Sequence, residues 1–266
     1  MTELSQDMRR RADSIYTVLA ACFAVILVLT NIIGTKLFYL FPEGGPAWFN
    51  GGERVTLTAG IITYPLTFWL TDIVSELWGR RKANLMVWIG FGTSLLMLGI
   101  LQLAVSLHPS GDWMLPNTPI VPLDAGLIES SEASAAGIMQ AAYATTFHNP
   151  RLLLFASMLA YLVAQLFDVR LYHFWWRITG GRHMWIRNNG STIISQLVDT
   201  IIVIGIFLGL GTDLGWDTIA KIIIWTYVCK VALALLDTPL IYLGRAWFCG
   251  LLGIPADTPP DSAPLA

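Results

Sequence analysis

The sequence predicts an all-α integral membrane protein with six transmembrane helices. Of its 266 residues, 55% are hydrophobic and only 13% are charged, and the mean hydropathy is +0.61, values that soluble domains rarely show. A membrane-spanning helix needs about 20 predominantly apolar residues in a row. Windows of that kind occur at residues 16–37, 57–78, 85–107, 152–169, 193–210 and 219–243.

Basic residues are distributed unevenly over the connections between these windows. Eleven of the sixteen Lys and Arg residues fall on one side and three on the other. Positively charged loops stay in the cytoplasm, so both termini are predicted to be cytoplasmic. The eleven residues are Arg9, Arg10, Arg11, Arg80, Arg81, Lys82, Arg170, Arg177, Arg182, Arg187 and Arg245.

The predicted organisation is a cytoplasmic segment at residues 1–14, a transmembrane domain at 15–245 and a cytoplasmic, disordered tail at 246–266. Residues 108–150 form a long external loop, whose Ala- and Met-rich part at 133–143 is either a short helix or disordered. Residues 169–190 form a basic, aromatic connector on the cytoplasmic side. The first window lacks a signal-peptide cleavage site and is expected to remain as the first helix.

The second window contains a proline and two carboxylates. Pro65 lies in the middle of the window and predicts a kink. Asp72 and Glu76 are four residues apart, so they share one helical face and could share a proton or bind a cation. The alternative for Glu76 is an ion pair with Arg80 or Arg81 at the cytoplasmic boundary. A charge in a membrane helix costs about 3 kcal/mol or more, which favours a functional role for Asp72.

The fifth window carries a polar stripe. Ser191, a predicted N-cap, is followed at four-residue intervals by Ser195 and Asp199, and Gln196 lies three residues before Asp199. A row of donors and acceptors that ends in a carboxylate suits a polar, planar solute. Hydrogen bonding between helices is the alternative, and it explains Ser195 better than Asp199.

The sixth window places Thr226, Lys230 and Asp237 on nearly one face. A lysine in the middle of a membrane helix needs either a carboxylate partner or a neutral state, and Asp199 and Asp237 are the candidate partners. A purely structural ion pair is the alternative. Further polar residues are Asn31 in the first window and Gln165 and Asp168, three residues apart, in the fourth.

The sequence lacks the motifs that are typical of several functional classes. The chain contains no P-loop, no dinucleotide-binding fingerprint and no HExxH motif, and its histidines and cysteines do not have metal-ligand spacing. We therefore expect no cofactor, no metal, no ATP hydrolysis by this chain and no nucleic-acid partner. An intramembrane hydrolase that uses Asp72 and Glu76 would lack a recognisable nucleophile. The buried charges favour a transporter over an enzyme or a scaffold.

Two groups of residues resemble the queuosine precursor transporter family, also called the vitamin uptake transporter family. The resemblance covers about residues 15–245, and the insertion at residues 109–150 departs from the compact family pattern. The matching residues are Asn31-Ile32-Ile33-Gly34-Thr35-Lys36, Tyr64-Pro65-Leu66-Thr67-Phe68, Asp72, Glu76, Gly79, Gln165, Asp168, Trp185-Ile186-Arg187-Asn188-Asn189, Ser191-Thr192, Ser195-Gln196, Asp199-Thr200 and Lys230.

The resemblance implies a six-helix importer of 7-cyano-7-deazaguanine and 7-aminomethyl-7-deazaguanine, which cells use to make queuosine in tRNA. A bacterial inner-membrane location and proton-coupled symport are expected. The family is also related to the substrate-binding subunits of energy-coupling-factor transporters, so docking on an ATPase module is an alternative. Ala20 and Ala24 form a small-residue pair that could serve such docking. A homo-oligomer also stays open.

The expected substrate site combines amides, carboxylates, a lysine and aromatic rings, because a guanine-like edge presents N–H donors beside a carbonyl and its ring can stack. Its residues are Asn31, Phe68, Asp72, Gln165, Asp168, Gln196, Asp199, Tyr227 and Lys230. Proton coupling is expected at Asp72, Glu76 and Asp237.

Overall fold

The computed structural model describes residues 6–110, 135–147, 151–180 and 183–253, apart from Thr35, Phe49, Glu53, Thr212 and Leu214. These residues form the helices α1 (Gln6–Ile33), α2 (Tyr64–Ser106), α3 (Ala135–Phe147), α4 (Arg151–Thr179), α5 (Met184–Gly211) and α6 (Trp216–Leu252). By length and composition, α1, α2, α5 and α6 could each cross a membrane. The predicted class of helical membrane protein is confirmed.

The connection between α1 and α2 contains a short β-hairpin, which departs from the all-α prediction. Strand β1 (Leu37–Tyr39) pairs in antiparallel fashion with β2 (Thr56–Thr58). Aromatic and β-branched residues favour strands, and they dominate both segments. The windows predicted to end at residue 37 and to begin at residue 57 were therefore too long at those ends.

Pro65 begins a helix and does not interrupt one. Because α2 starts at Tyr64, the proline occupies the first turn, where its missing N–H has no intrahelical acceptor and its fixed φ suits the helix. The predicted kink at Pro65 was wrong. The helix break occurs instead at Gly79, whose φ of 75° and ψ of 177° are non-helical and favour glycine.

Gly79 divides α2 into a first arm (residues 64–78) and a second arm (residues 80–106). The first arm runs antiparallel to α1, because its two ends contact opposite ends of α1. The second arm returns beside α1 in the parallel direction, so the two arms form a helical hairpin. The contacts are Thr30–Thr63, Tyr16–Trp78, Tyr16–Lys82 and Asn31–Ser94.

Helices α4 and α5 extend further than the hydropathy windows. Since α4 ends at Thr179 and α5 begins at Met184, the predicted connector of residues 169–190 shrinks to residues 180–183. Ser191 therefore lies inside α5 and does not cap it. Its hydroxyl donates to the backbone carbonyl of Asn188 at 3.1 Å.

Helix α6 also extends beyond its window, into the segment predicted as a disordered tail. It ends at Leu252 and is followed by Gly253 in the left-handed conformation, with φ of 63°. Apolar residues of this last turn join the same core cluster as Ala12 of α1. A Cβ on Gly253 would lie 3.9 Å from Met8 Cε, so the start of α1 and the end of α6 lie together. The rest of the predicted tail, residues 254–266, lies outside the described residues.

Residues 96–151 form a separate compact unit. Its described parts are the end of α2 and helix α3, and the side-chain amide of Gln140 donates to the carbonyl of Val105 at 2.9 Å. The helical alternative for residues 133–143 is thus confirmed over α3. The remainder of the predicted loop, residues 111–134 and 148–150, lies outside the described residues.

Candidate functional site

Three residues from α2, α5 and α6 form a lysine cluster. Lys230 Nζ lies 2.6 Å from Asp199 Oδ2 and 4.4 Å from the centre of the Tyr64 ring. The Tyr64 hydroxyl donates to the same carboxylate oxygen at 3.3 Å. Asp199 was one of two predicted partners of Lys230, and it is the partner found. The cluster holds one cation against one anion.

At the opposite end of the first arm, a second group of residues forms an arginine cluster. Arg187 NH2 lies 3.0 and 2.9 Å from the two carboxylate oxygens of Glu76, and Arg245 Nε lies 2.9 Å from Oε1. The Tyr172 hydroxyl donates to Oε2. The Arg187 guanidinium also stacks on the ring of Trp176, 3.9 Å from its centre. One buried carboxylate thus joins α2, α4, α5 and α6.

The arginine cluster corrects one alternative from the sequence. Arg80 and Arg81 were proposed as partners of Glu76, but both are exposed, and the bridges to Glu76 come from α5 and α6. Arg80 lies four positions from Glu76 on the same helix, so sequence spacing alone favours that pair. A buried carboxylate is instead paired by cations from other helices that reach the same interior position.

A small cavity lies among α2, α5 and α6, next to the lysine cluster. It encloses about 10 Å³, the space of a single water molecule. Typical ligand pockets hold about 300–1,000 Å³, so the helices around this cavity are packed together. The lining residues come from α2, α5 and α6: Tyr64, Pro65, Phe68, Asp72, Asn188, Thr192, Gln196, Lys230, Leu233, Ala234 and Asp237.

Several polar groups in and beside the cavity have no hydrogen-bond partner among the described residues. Both amide atoms of Gln165 and Gln196 are buried without a partner, as are single oxygens of Asn188 and Thr192. The buried Asp72 carboxyl lacks an N–H or hydroxyl donor, and its only hydrogen-bonding neighbour among the described residues is the carboxyl of Asp168. An unsatisfied buried group costs about 1–3 kcal/mol, and such groups are rare in native proteins. Their concentration here makes this cavity the candidate site for a polar solute.

The acidic residues of the site outnumber their basic partners. Asp72 interacts electrostatically with Asp168, Asp237 and Glu76. Asp168 Oδ1 accepts a hydrogen bond from Ser195 at 2.9 Å. Among the described residues, Asp72, Asp168 and Asp237 form no salt bridge. Neighbouring carboxylates in a low-dielectric interior cannot all stay charged, so a proton or another cation must accompany them.

Not every predicted site residue reaches the cavity. The predicted residues that line it are Phe68, Asp72, Gln196, Lys230 and Asp237. Glu76 belongs to the arginine cluster instead.

The remaining predicted residues lie beside the cavity or elsewhere in the bundle. Asp199 contacts the cavity wall through Lys230, and the buried Gln165 and Asp168 lie on α4. Asn31 instead donates to Ser94 and accepts from Ser157. The Tyr227 hydroxyl donates to the backbone carbonyl of Ile193.

The structure adds residues that were not selected from the sequence. Tyr64, Asn188 and Thr192 line the cavity, and Tyr172, Arg187 and Arg245 build the arginine cluster. Tyr64, Arg187, Asn188 and Thr192 are among the family-like residues of the sequence, whereas Tyr172 and Arg245 are not. Within the described residues, no group of His, Cys, Asp or Glu is arranged to hold a metal ion.

Buried, ion-paired charges beside a small cavity, inside a bundle of apolar helices, are the arrangement expected of a small-molecule membrane transporter. Comparison with known proteins agrees. Residues 58–244 match the family described as "Putative vitamin uptake transporter". The chain is 31% identical over 194 residues to the "Probable queuosine precursor transporter" of Bacillus subtilis (strain 168), covering 72% of each protein.

This protein belongs to the vitamin uptake transporter family, whose members are transporters and not enzymes. It is a multi-pass membrane protein. No solved structure matches the chain.

Proposed function

We propose that this protein imports the queuosine precursors 7-cyano-7-deazaguanine and 7-aminomethyl-7-deazaguanine across the bacterial inner membrane by proton symport. The name of the Bacillus subtilis relative supports this substrate class. The observation that carries the proposal is the pair of unsatisfied side chains, Asp72 and Gln196, that line one cavity from different helices.

These two side chains complement a guanine-type edge. Such an edge presents adjacent N–H donors, which a carboxylate accepts in bidentate fashion, and a carbonyl, which accepts from an amide N–H. Asp72 and Gln196 supply those groups. The rings of Phe68 and Tyr64, whose centres are 4.9 Å apart, offer an aromatic surface for stacking. The Lys230 ammonium lies at the same wall and can donate to the carbonyl.

Uptake competition tests the substrate class. In cells that cannot make the precursor, 7-cyano-7-deazaguanine supplied at low concentration should restore queuosine in tRNA, and excess adenine should not compete. A site built for one hydrogen-bonded edge rejects an edge with the wrong donors, because its buried groups are left unpaired. Equal inhibition by adenine, or uptake of an unrelated vitamin alone, would refute the assignment.

A matched pair of glutamine variants tests the site itself. Gln196→Leu should lower uptake at least about tenfold, since it removes the amide that faces the cavity. Gln102→Leu makes the same chemical change on the second arm of α2, outside the cavity lining, and should keep uptake. Equal uptake by both variants would remove Gln196 from the site.

Proton coupling is assigned to Asp72 and Asp237, together with Asp168. These carboxylates have no salt-bridge partner among the described residues, whereas Glu76 is engaged by two arginines. Glu76 is therefore a weaker candidate for the transported proton than the sequence suggested. Uptake into vesicles should rise with an inward proton gradient, and Asp72→Asn and Asp237→Asn should lose that dependence. Uptake that needs an added ATPase would favour the energy-coupling-factor alternative.

Six membrane spans with cytoplasmic termini are part of the same proposal. The two arms of α2 count as separate spans, and the end of the bundle that holds the arginine cluster faces the cytoplasm, since the basic residues concentrate there. Reporter fusions at the C-terminus should report a cytoplasmic location, and a cysteine at Ser130 should be labelled from outside. The reverse pattern would overturn this orientation.

A further inference from the structure

The lysine and arginine clusters are built from the same three structural elements. The first arm of α2 supplies Tyr64 to one and Glu76 to the other, and α5 supplies Asp199 and Arg187. Helix α6 supplies one cation to each cluster, Lys230 to the first and Arg245 to the second. Each cluster therefore ties α6 to the other two elements.

The two clusters lie at opposite ends of the helical segments that line the cavity. On α2 and on α5, the two contributing residues are twelve positions apart, which is roughly 18 Å at 1.5 Å per helical residue. On α6, Lys230 and Arg245 are fifteen positions apart, roughly 22 Å. The cavity-lining residues of all three elements fall within these intervals. Tyr64 and Lys230 of the lysine cluster therefore line one end of the cavity, whereas the arginine cluster lies beyond its other end, with Glu76 one helical turn after the lining residue Asp72.

Helix α6 has a weak point between its two cations. Pro239 lies inside α6 and cannot donate a backbone hydrogen bond to the preceding turn. On the arginine side of that proline, Trp69 Nε1 donates to the Leu240 carbonyl at 3.0 Å. The segment that carries Lys230 lies on the other side. The segments of α6 that carry Lys230 and Arg245 are thus joined at a turn that lacks one backbone hydrogen bond.

We propose that the lysine cluster and the arginine cluster are the two alternating gates of transport. This inference rests on the proposed transport function but not on the identity of the substrate. With both clusters formed, the cavity is too small for a bicyclic base. Separation of Lys230 from Asp199 opens the Tyr64 end, and separation of Arg187 and Arg245 from Glu76 opens the other end.

Cysteine accessibility in membrane vesicles tests the gates without any substrate. Thr192 lines the cavity on α5 and is buried, so Thr192→Cys is the reporter, in a background where Cys22, Cys229 and Cys249 are replaced by Ala. The probe is a membrane-impermeant, positively charged methanethiosulfonate. It is applied to right-side-out and to inside-out vesicles, and the rate of labelling is measured from each side.

Disrupting either cluster should make the cavity accessible from one side of the membrane only. Lys230→Met should raise labelling at least about tenfold from one side, and Glu76→Gln should raise it by a similar factor from the opposite side, because removal of one partner of a buried ion pair strongly disfavours the closed arrangement. Arg80→Gln removes an exposed arginine four residues from Glu76 and should leave both rates unchanged.

Two outcomes would overturn the inference: increased labelling from the same side for both variants, or unchanged labelling in both. If Glu76→Gln does not accumulate in the membrane, Arg245→Gln keeps the Arg187 bridge and should give a smaller increase from the same side. Opposite-side labelling without deazaguanine uptake would refute only the substrate assignment. Deazaguanine uptake without side-specific labelling would refute only the gates.

Discussion

The two ends of the cavity differ in how deeply their charges are buried. In the lysine cluster, the paired side chains are 12% and 10% exposed, whereas Arg187 and Glu76 are 2% and 1% exposed. The lysine cluster balances one cation with one anion, but the arginine cluster holds two arginines and a tyrosine on one carboxylate. A more buried charge depends more strongly on its partners. The Arg187–Glu76 pair is therefore the most dependent on its partner, whereas Arg245, at 17% exposed, lies nearer to the surface than Lys230.

The largest effect is expected from neutralising the shared carboxylate of the arginine end. Glu76→Gln should lower the free energy of unfolding by about 3–5 kcal/mol, since it removes the anion that pairs with the buried Arg187 and with the half-buried Arg245. Thermal unfolding in detergent measures the loss. Glu43→Gln, at an exposed glutamate, is the control and should change little. A loss as small as that of the control would contradict the deep burial of this charge.

Neutralising the anion of the lysine end should affect transport more than stability. Asp199→Asn should abolish uptake at normal membrane abundance, with a stability loss of only about 1–3 kcal/mol because Lys230 is nearer to the surface. The exposed Asp217→Asn on the same bundle provides the matched control and should keep uptake. Substantial uptake by Asp199→Asn would remove Asp199 from the site.

The two tyrosines give the smallest and most direct comparison. Tyr172→Phe and Tyr64→Phe each remove one hydroxyl that donates to a carboxylate. The first should cost about 1–2 kcal/mol and the second less, because Tyr172 is fully buried and Tyr64 is half-buried. Unfolding measured under identical detergent conditions would show the order. Equal losses would mean that the two ends do not differ in burial energetics.

Local periodicity was enough to predict part of the site. Asp199 and Lys230 each lie on a polar face of an apolar helix, and a buried lysine requires a carboxylate, so their pairing could be anticipated. The class of helical membrane protein was also predictable, because the length of an apolar run is read from consecutive residues and needs no knowledge of distant contacts. Asp72, Gln196 and Asp237 were selected on this basis, and all three line the cavity.

The arginine cluster could not be predicted in this way. Arg187 and Arg245 are 111 and 169 residues from Glu76 along the chain, and a hydropathy window ends where such charges begin. Both arginines were therefore assigned to loops from the sequence. In the structure they lie within helices, where the Glu76 carboxylate from another helix compensates their charge. Asn31 was predicted in the substrate site for a similar reason. Periodicity indicates that a residue is buried in the membrane but not that its neighbours are Ser94 and Ser157.

The helical hairpin broken at Gly79 has a consequence for the biogenesis of the protein. Its first arm carries Asp72 and Glu76, each of which costs about 3 kcal/mol when a single helix partitions from the translocon into lipid. Residues 83–106 contain no Asp, Glu, Lys or Arg, so the second arm enters lipid readily. Because the turn is a single glycine, the two arms can leave the translocon as one unit. On the six-span arrangement proposed above, the apolar arm would hold the acidic arm in the bilayer until α5 and α6 arrive with their cations.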